Sequence, residues 1–207
     1  MSVERELRGL YVITDDRLTP EESMYFMVEE ALKGGAKIVQ LRDKTRSDET
    51  IKKEAQALQT LCKSYNALFV LNDKIEIAIA LKLDALHIGK SDHHRFKEIR
   101  EQFNGIIGVS CYGDIALAKE MQNMGADYVA FGSFYLSPTK PNANIVPLEI
   151  ISQAREELNV PVCAIGGINL EKISEVMEQK PDMVSLVSDI WNAASIKEQS
   201  QQYSKLF

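Results

Sequence analysis

Ala36-Lys37-Ile38-Val39-Gln40-Leu41, an amphipathic stretch over 48–65, and then Ala67-Leu68-Phe69-Val70-Leu71 form the part of the chain whose reading decides the fold. Both flanking runs are apolar at nearly every position, as expected of strands covered on both faces in a parallel sheet. The stretch between them follows Ser47, a good helix cap, and repeats its apolar residues at helical spacing. Strand, helix and strand in that order make a βαβ unit. The unit recurs outward in both directions. Further apolar runs lie at 9–14, 85–88, 105–110, 127–132, 160–165 and 183–187, giving eight candidate strands, with helical signals at 24–32, 75–83, 114–124, 147–158 and 170–178. Asn169 offers a second helix cap, while Gly34-Gly35 and Gly125 close helices just before a strand. All eight runs read as interior strands and none as an edge. In 207 residues that favours a closed (β/α)8 TIM barrel over an open sheet. A single domain spanning 1–207 is expected, with its active site at the C-terminal strand ends.

Composition narrows the function. Hydrophobic residues are 45% and charged residues 26%, enough to fill a core, and neither disorder nor low complexity is indicated. The net charge is -6 and no basic run could track a phosphate backbone, so nucleic-acid binding is not expected. An anionic substrate must therefore find a local basic pocket on an acidic protein. No apolar run approaches the roughly 18 residues that cross a bilayer, and the N-terminus lacks an apolar h-region. Cys62, Cys111 and Cys163 are odd in number and have no metal-ligand spacing, which fits reduced thiols in a cytoplasmic protein. A homo-oligomer is compatible with the sequence and is not required by it.

The strand ends carry the chemistry. Gln40, Arg42 and Lys44 alternate and project to one side if the second strand continues, aiming an amide and two cations into the barrel mouth. Such a set suits a phosphate or pyrophosphate, against a solvated strand end with an Arg42-Asp43 pair. The third strand ends in Asn72-Asp73, and Asp92 follows the fourth. Two carboxylates beside a pyrophosphate are what a Mg2+ ion needs, although Asp73 also reads as a helix cap. His87, flanked by apolar residues, reads as packed. The fifth strand delivers Ser110. The sixth leads into the turn-rich loop Ser137-Pro138-Thr139-Lys140-Pro141-Asn142, where hydroxyls beside a lysine suit a phosphate and the segment 137–145 suits a lid. Gly166-Gly167 follows the seventh strand and Val187-Ser188 ends the eighth, where phosphate sites are common in this fold.

These motifs resemble the thiamin-phosphate synthase family over nearly the whole chain. The resemblance rests on Gln40-Leu41-Arg42-Asp43-Lys44, Asn72-Asp73, His87-Ile88-Gly89 with Asp92, Gly125-Ala126-Asp127-Tyr128, Pro138-Thr139-Lys140 and Ala164-Ile165-Gly166-Gly167-Ile168, in the family's order and spacing. It implies an enzyme, a transferase that joins 4-amino-2-methyl-5-hydroxymethylpyrimidine pyrophosphate to a thiazole phosphate by a dissociative reaction, releasing thiamin phosphate and pyrophosphate. It also implies that Gln40, Arg42, Lys44, Asn72, Ser110 and Lys140 hold the pyrophosphate, with Arg42, Lys44, Ser110 and Lys140 as the catalytic set. Asp73 and Asp92 would hold Mg2+, and Ser137, Thr139, Gly167, Val187 and Ser188 would complete the substrate site. An ionising C–O bond needs positioned cations more than acid-base groups, which agrees with the residues themselves.

The sequence departs from the family pattern in places. Lys90 stands where the family usually has Gln, Ser137 where it often has Thr, and Cys111-Tyr112 where a histidine often follows the serine's neighbour. Asp189 is unfavourable beside a phosphate if it points inward. Two alternatives stay open: a thiazole tautomerase, which needs a histidine beyond the fifth strand, and a catalytically silent phosphate-sensing barrel that regulates genes.

Overall fold

A computed structural model describes residues 7–137 and 143–207. The strands are β1 (Gly9–Ile13), β2 (Ile38–Leu41), β3 (Leu68–Asn72), β4 (Ala85–Ile88), β5 (Ile106–Tyr112), β6 (Tyr128–Phe131), β7 (Val162–Ile165) and β8 (Met183–Leu186). They pair in parallel in chain order, and β8 returns to β1 to close the barrel. Around them lie α1 (Glu21–Lys33), α2 (Asp48–Ser64), α3 (Ile75–Ala80), α4 (Phe96–Gln102), α5 (Ile115–Met124), α6 (Glu149–Glu157), α7 (Ile173–Glu178), α8 (Ser188–Trp191) and α9 (Ile196–Ser204). The eight strands and the closed parallel barrel are those expected from the apolar runs.

Alternation along each strand sorts side chains into two cores. Leu10, Val12, Val39, Leu41, Phe69, Leu71, Leu86, Ile88, Ile107 and Val109 face outward and pack with the helices. Tyr11, Ile13, Ile38, Val70, Ala85, Tyr128, Ala130, Cys163 and Met183 form a second cluster inside the barrel. Covering both faces explains why the strands read as continuous apolar runs. Gly108 on β5 makes room inside, since a Cβ there would lie 1.9 Å from Cζ of Tyr128.

The caps follow the sequence reading in most cases. Ser47 accepts from the Thr50 N–H at the start of α2, and Gly125 ends α5 with φ 102°. Asn169 accepts from the Lys172 N–H at 3.2 Å, but that turn precedes α7, which starts at Ile173 and not at 170. Gly34-Gly35 closes α1 as expected: Gly34 is the cap with φ -79°, Gly35 takes the left-handed conformation with φ 95°, and Gly34 also serves close packing, because a Cβ would meet the Lys197 carbonyl of α9 at 2.5 Å. Helices α4, α8 and α9 lie outside the helical signals read from the sequence.

Candidate active site at the C-terminal strand ends

The second strand stops earlier than the alternation of Gln40, Arg42 and Lys44 requires. β2 ends at Leu41, and Asp43 turns the chain by accepting from the Thr45 and Arg46 N–H groups at 2.8 and 2.7 Å. The extended run through Lys44 is thus corrected: a buried aspartate, whose bonds to the following N–H groups favour a turn, ends it. Burial pushes the Asp43 carboxyl up, but those N–H groups and the Arg46 charge outweigh it, so its pKa lies below the ordinary value. Arg46 in turn reaches Asp43 at 3.2 Å and Glu54 of α2 at 2.6 Å, and it donates to the Thr19 carbonyl at 3.2 Å. This ion network, absent from the sequence reading, stiffens the loop that carries Arg42 and Lys44. Thr14 completes it by accepting from the Arg42 N–H at 2.9 Å. Among the described residues, neither Arg42 nor Lys44 forms an ion pair, so both charges remain for an anion.

Asp73 follows β3 and Asp92 the end of β4, and each has one bond to Gly89, by its side chain and by its backbone N–H respectively. Asp73 Oδ1 accepts from the Gly89 N–H at 3.3 Å, and the Asp92 N–H donates to the Gly89 carbonyl at 3.1 Å. The helix-cap alternative for Asp73 is not what the structure adopts, since the α3 cap position is Lys74 without a side-chain cap bond. Asp73 instead has φ 59°, a conformation that costs an aspartate less than most residues. The Ser91 hydroxyl donates to Asp92 at 2.7 Å, and Arg95 lies 3.8 Å away, too far for a tight pair. Both carboxylates therefore keep oxygens for a cation. The set contains oxygen donors only, and no group of three His, Cys, Asp or Glu residues gathers among the described residues. Such a partial set fits Mg2+, which usually takes one or two carboxylates and fills its shell with water and substrate oxygens.

Gln40, only 2% exposed, points into the barrel and donates from Nε2 to the Tyr11 hydroxyl at 2.6 Å. That hydroxyl lies 2.9 Å from the Tyr128 hydroxyl, which lies 2.9 Å from His87 Nδ1, and His87 Nε2 lies 2.9 Å from Ser110 Oγ. A hydrogen-bonded chain thus crosses the barrel from β2 to β5. His87 is packed, as its apolar neighbours suggested, yet it belongs to a polar network that links two candidate site residues. Each of these side chains sits on an apolar run, so nothing in the local pattern marks them as partners. Asn72 ends β3 half-buried, one residue before Asp73.

On the opposite side of the mouth, Ser137, Gly167 and Ser188 line one cavity of about 500 Å³ with Lys172 and Asn169. Gly167 has φ 65°, and a Cβ there would strike the carbonyls of Tyr135 and Leu136 at 2.5 and 2.7 Å, so glycine is required where the loop after β6 crosses β7. Val187 occupies the cap position of α8. Asp189 is turned toward α9, where Gln199 donates to it at 2.6 Å and Tyr203 also donates. The feared clash of charge with a phosphate is thereby reduced. Thr139 and Lys140, with most of the expected lid over 137–145, lie outside the described residues. Tyr112 is exposed with φ 59°, and its hydroxyl accepts from the Lys90 N–H at 3.3 Å. Two of the departures from the family pattern, Lys90 and Tyr112, are therefore neighbours.

Comparison with known proteins places this arrangement. Residues 10–190 match the family described as thiamine monophosphate synthase. The chain belongs to the thiamin-phosphate synthase family. It is 40% identical over 191 residues to the thiamine-phosphate synthase of Wolinella succinogenes, covering 91% of this chain and 88% of that one. To the thiamine-phosphate synthase of Thioalkalivibrio sulfidiphilus it is 38% identical over 203 residues, with coverage of 97% and 96%. The solved thiamine phosphate pyrophosphorylase of Pyrococcus furiosus superposes with a TM-score of 0.87 at 32% identity, covering 99% of this chain and 97% of that one. The thiamin-phosphate synthase relatives thus extend over the whole barrel, including every strand end described above.

Proposed function

We propose that this chain is a transferase that couples 4-amino-2-methyl-5-hydroxymethylpyrimidine pyrophosphate with a thiazole phosphate, giving thiamin phosphate and pyrophosphate. The observation that carries the reading is the pairing, at the C-terminal strand ends, of two cations outside any ion pair among the described residues, Arg42 and Lys44, with the carboxylates Asp73 after β3 and Asp92 after β4. A tautomerase has no use for that combination, and a silent sensor has no need of the carboxylates.

The bond from the pyrimidine methylene to the pyrophosphate oxygen breaks with both electrons leaving on oxygen, and the thiazole phosphate then bonds to the freed carbon. Arg42 and Lys44 meet the charge that grows on the leaving group, with Gln40, Asn72 and Ser110 directing hydrogen bonds to it and Lys140 joining from the loop. Asp73 and Asp92 would hold Mg2+, which when bound would supply charge neutralisation to the leaving group. Ser137, Thr139, Gly167, Val187 and Ser188 place the thiazole phosphate across the mouth. Because the leaving group departs as an anion, the residues need to orient and neutralise more than to move protons. The small-molecule substrates fit a cytoplasmic enzyme, and no described helix is long and apolar enough to cross a membrane.

The test is direct. Purified protein, given both substrates and Mg2+, should release pyrophosphate in step with thiamin phosphate, and excess chelator should stop it. Rapid thiazole isomerisation without pyrophosphate release refutes the reading in favour of the tautomerase.

A further inference from the structure

The chain from Gln40 to Ser110 has a direction, and its far end is a residue of the proposed pyrophosphate site. Gln40 Nε2 donates to Tyr11, so among the described residues the Tyr11 proton goes to Tyr128, whose hydroxyl lies 2.9 Å away. The Tyr128 proton then goes to His87 Nδ1, which must be the unprotonated nitrogen of a neutral imidazole. The remaining imidazole proton sits on Nε2 and is donated to Ser110 Oγ at 2.9 Å. A serine hydroxyl that accepts this bond still has its own proton to give, and Ser110 is half-buried at the open end of β5.

We infer that His87 is a positioning residue, fixed as its Nε2–H tautomer by Tyr128, that sets Ser110 as a hydrogen-bond donor toward the mouth. The inference rests on the coupling reaction proposed above, because an ionising pyrophosphate presents acceptor oxygens only and needs a donor there. The opposite direction is chemically available. A Gln40 carboxamide accepting from Tyr11 would reverse every bond, and Ser110 would then donate inward and face the leaving group with lone pairs. Packing favours a fixed chain: Tyr11 and Tyr128 are at most 1% exposed, their rings lie edge to face at 6.2 Å, and Gly108 yields the space that Tyr128 fills. Burial also holds both phenols in the protonated form. The sequence separation of these residues, 117 positions between the two tyrosines, means that only barrel closure brings them together.

Nitrogen-15 spectra of the resting protein, with His87 assigned by comparison with His87→Gln, test the direction without substrates. A protonated Nε2 and a bare Nδ1 are expected; the reverse tautomer overturns the inference. Since no substrate is present, this result stands whatever the coupling assay returns. Kinetics test the route. Tyr128→Phe should lower kcat by about tenfold to a hundredfold, the range in which outer hydrogen-bond partners act. In a Ser110→Ala background the same change should lower kcat no further, because its effect passes through the missing hydroxyl. His87→Gln, whose amide N–H can replace Nε2–H, should keep more activity than His87→Asn, which cannot reach Ser110. Multiplicative losses in the double variant, or equal losses in Gln and Asn, overturn it.

Discussion

Gly108→Ala tests whether the barrel interior is as tightly interlocked as the hydrogen-bonded chain requires. The added Cβ would lie 1.9, 2.2 and 2.4 Å from Cζ, Cε1 and the hydroxyl oxygen of Tyr128. To reach ordinary van der Waals distance the ring must retreat by about 1.5 Å, though the Tyr11 and His87 rings already pack around it with centroids 6.2 and 5.6 Å away. A shift of that size breaks the 2.9 Å contacts of the Tyr128 hydroxyl with Tyr11 and His87. Overpacking costs about 1–3 kcal/mol. Each buried polar group left without its partner adds about 1–3 kcal/mol. With the two contacts of Tyr128 broken, the expected loss is about 3–9 kcal/mol, a fall in Tm of about 6–36 °C for a chain of this size. Urea unfolding followed by circular dichroism, together with a thermal scan, reads both. Adding Tyr128→Val, which removes the ring, should make the double variant more stable than the sum of the single losses predicts. A loss below about 1 kcal/mol for Gly108→Ala would refute the reasoning, because the ring would then have somewhere to go.

Other perturbations address the site. Asp43→Ala should cost about 1–3 kcal/mol near neutral pH, since it leaves the Thr45 and Arg46 N–H groups without their acceptor and takes from Arg46 one of its two carboxylate partners. Its folded pKa is depressed, so the stabilisation is complete above the unfolded value of about 3.9 and is lost as pH falls through the folded one. The gap between wild type and variant, measured by urea unfolding, should narrow below about pH 4; a constant gap contradicts the assignment. Asp92→Asn should lower the coupling rate by at least about tenfold, or about 1.4 kcal/mol, without unfolding the barrel, and an unchanged rate at saturating Mg2+ counts against a metal role. Arg42→Ala should remove most of the coupling while Tyr112→Phe leaves it largely intact, both read as pyrophosphate release. The reverse ranking would return weight to acid-base chemistry beyond β5.

The barrel was legible because each strand is buried on two faces, so its apolar run stands out without help from its neighbours. Strand ends were legible for the same reason: polar residues such as Asn72-Asp73 and Ser110 interrupt or terminate those runs. What lay beyond local pattern was the way Asp43 ends β2, which depends on a carboxylate competing with the strand for backbone N–H groups. Arg46 was invisible because its partners Thr19 and Glu54 come from other segments. The chain from Gln40 to Ser110 was invisible for a further reason. Tyr11, His87 and Tyr128 sit where hydrophobic side chains are expected, and their hydroxyls and ring nitrogens meet only across the closed barrel. Glycine at 167 was read as an opening for phosphate, whereas the structure requires it first for the crossing of Tyr135 and Leu136. Helix α9 lies after the last strand, outside the βα alternation, yet its Tyr203 and Gln199 hold Asp189.

The central claim is that the leaving pyrophosphate sits between β2 and β4, held by cations on one strand end and carboxylates on the next two. A crystal structure of the protein soaked with pyrophosphate and Mg2+ tests it most directly. The account predicts pyrophosphate against Gln40, Arg42 and Lys44 with the metal on Asp73 and Asp92. Pyrophosphate bound elsewhere, with those five side chains untouched, would contradict it.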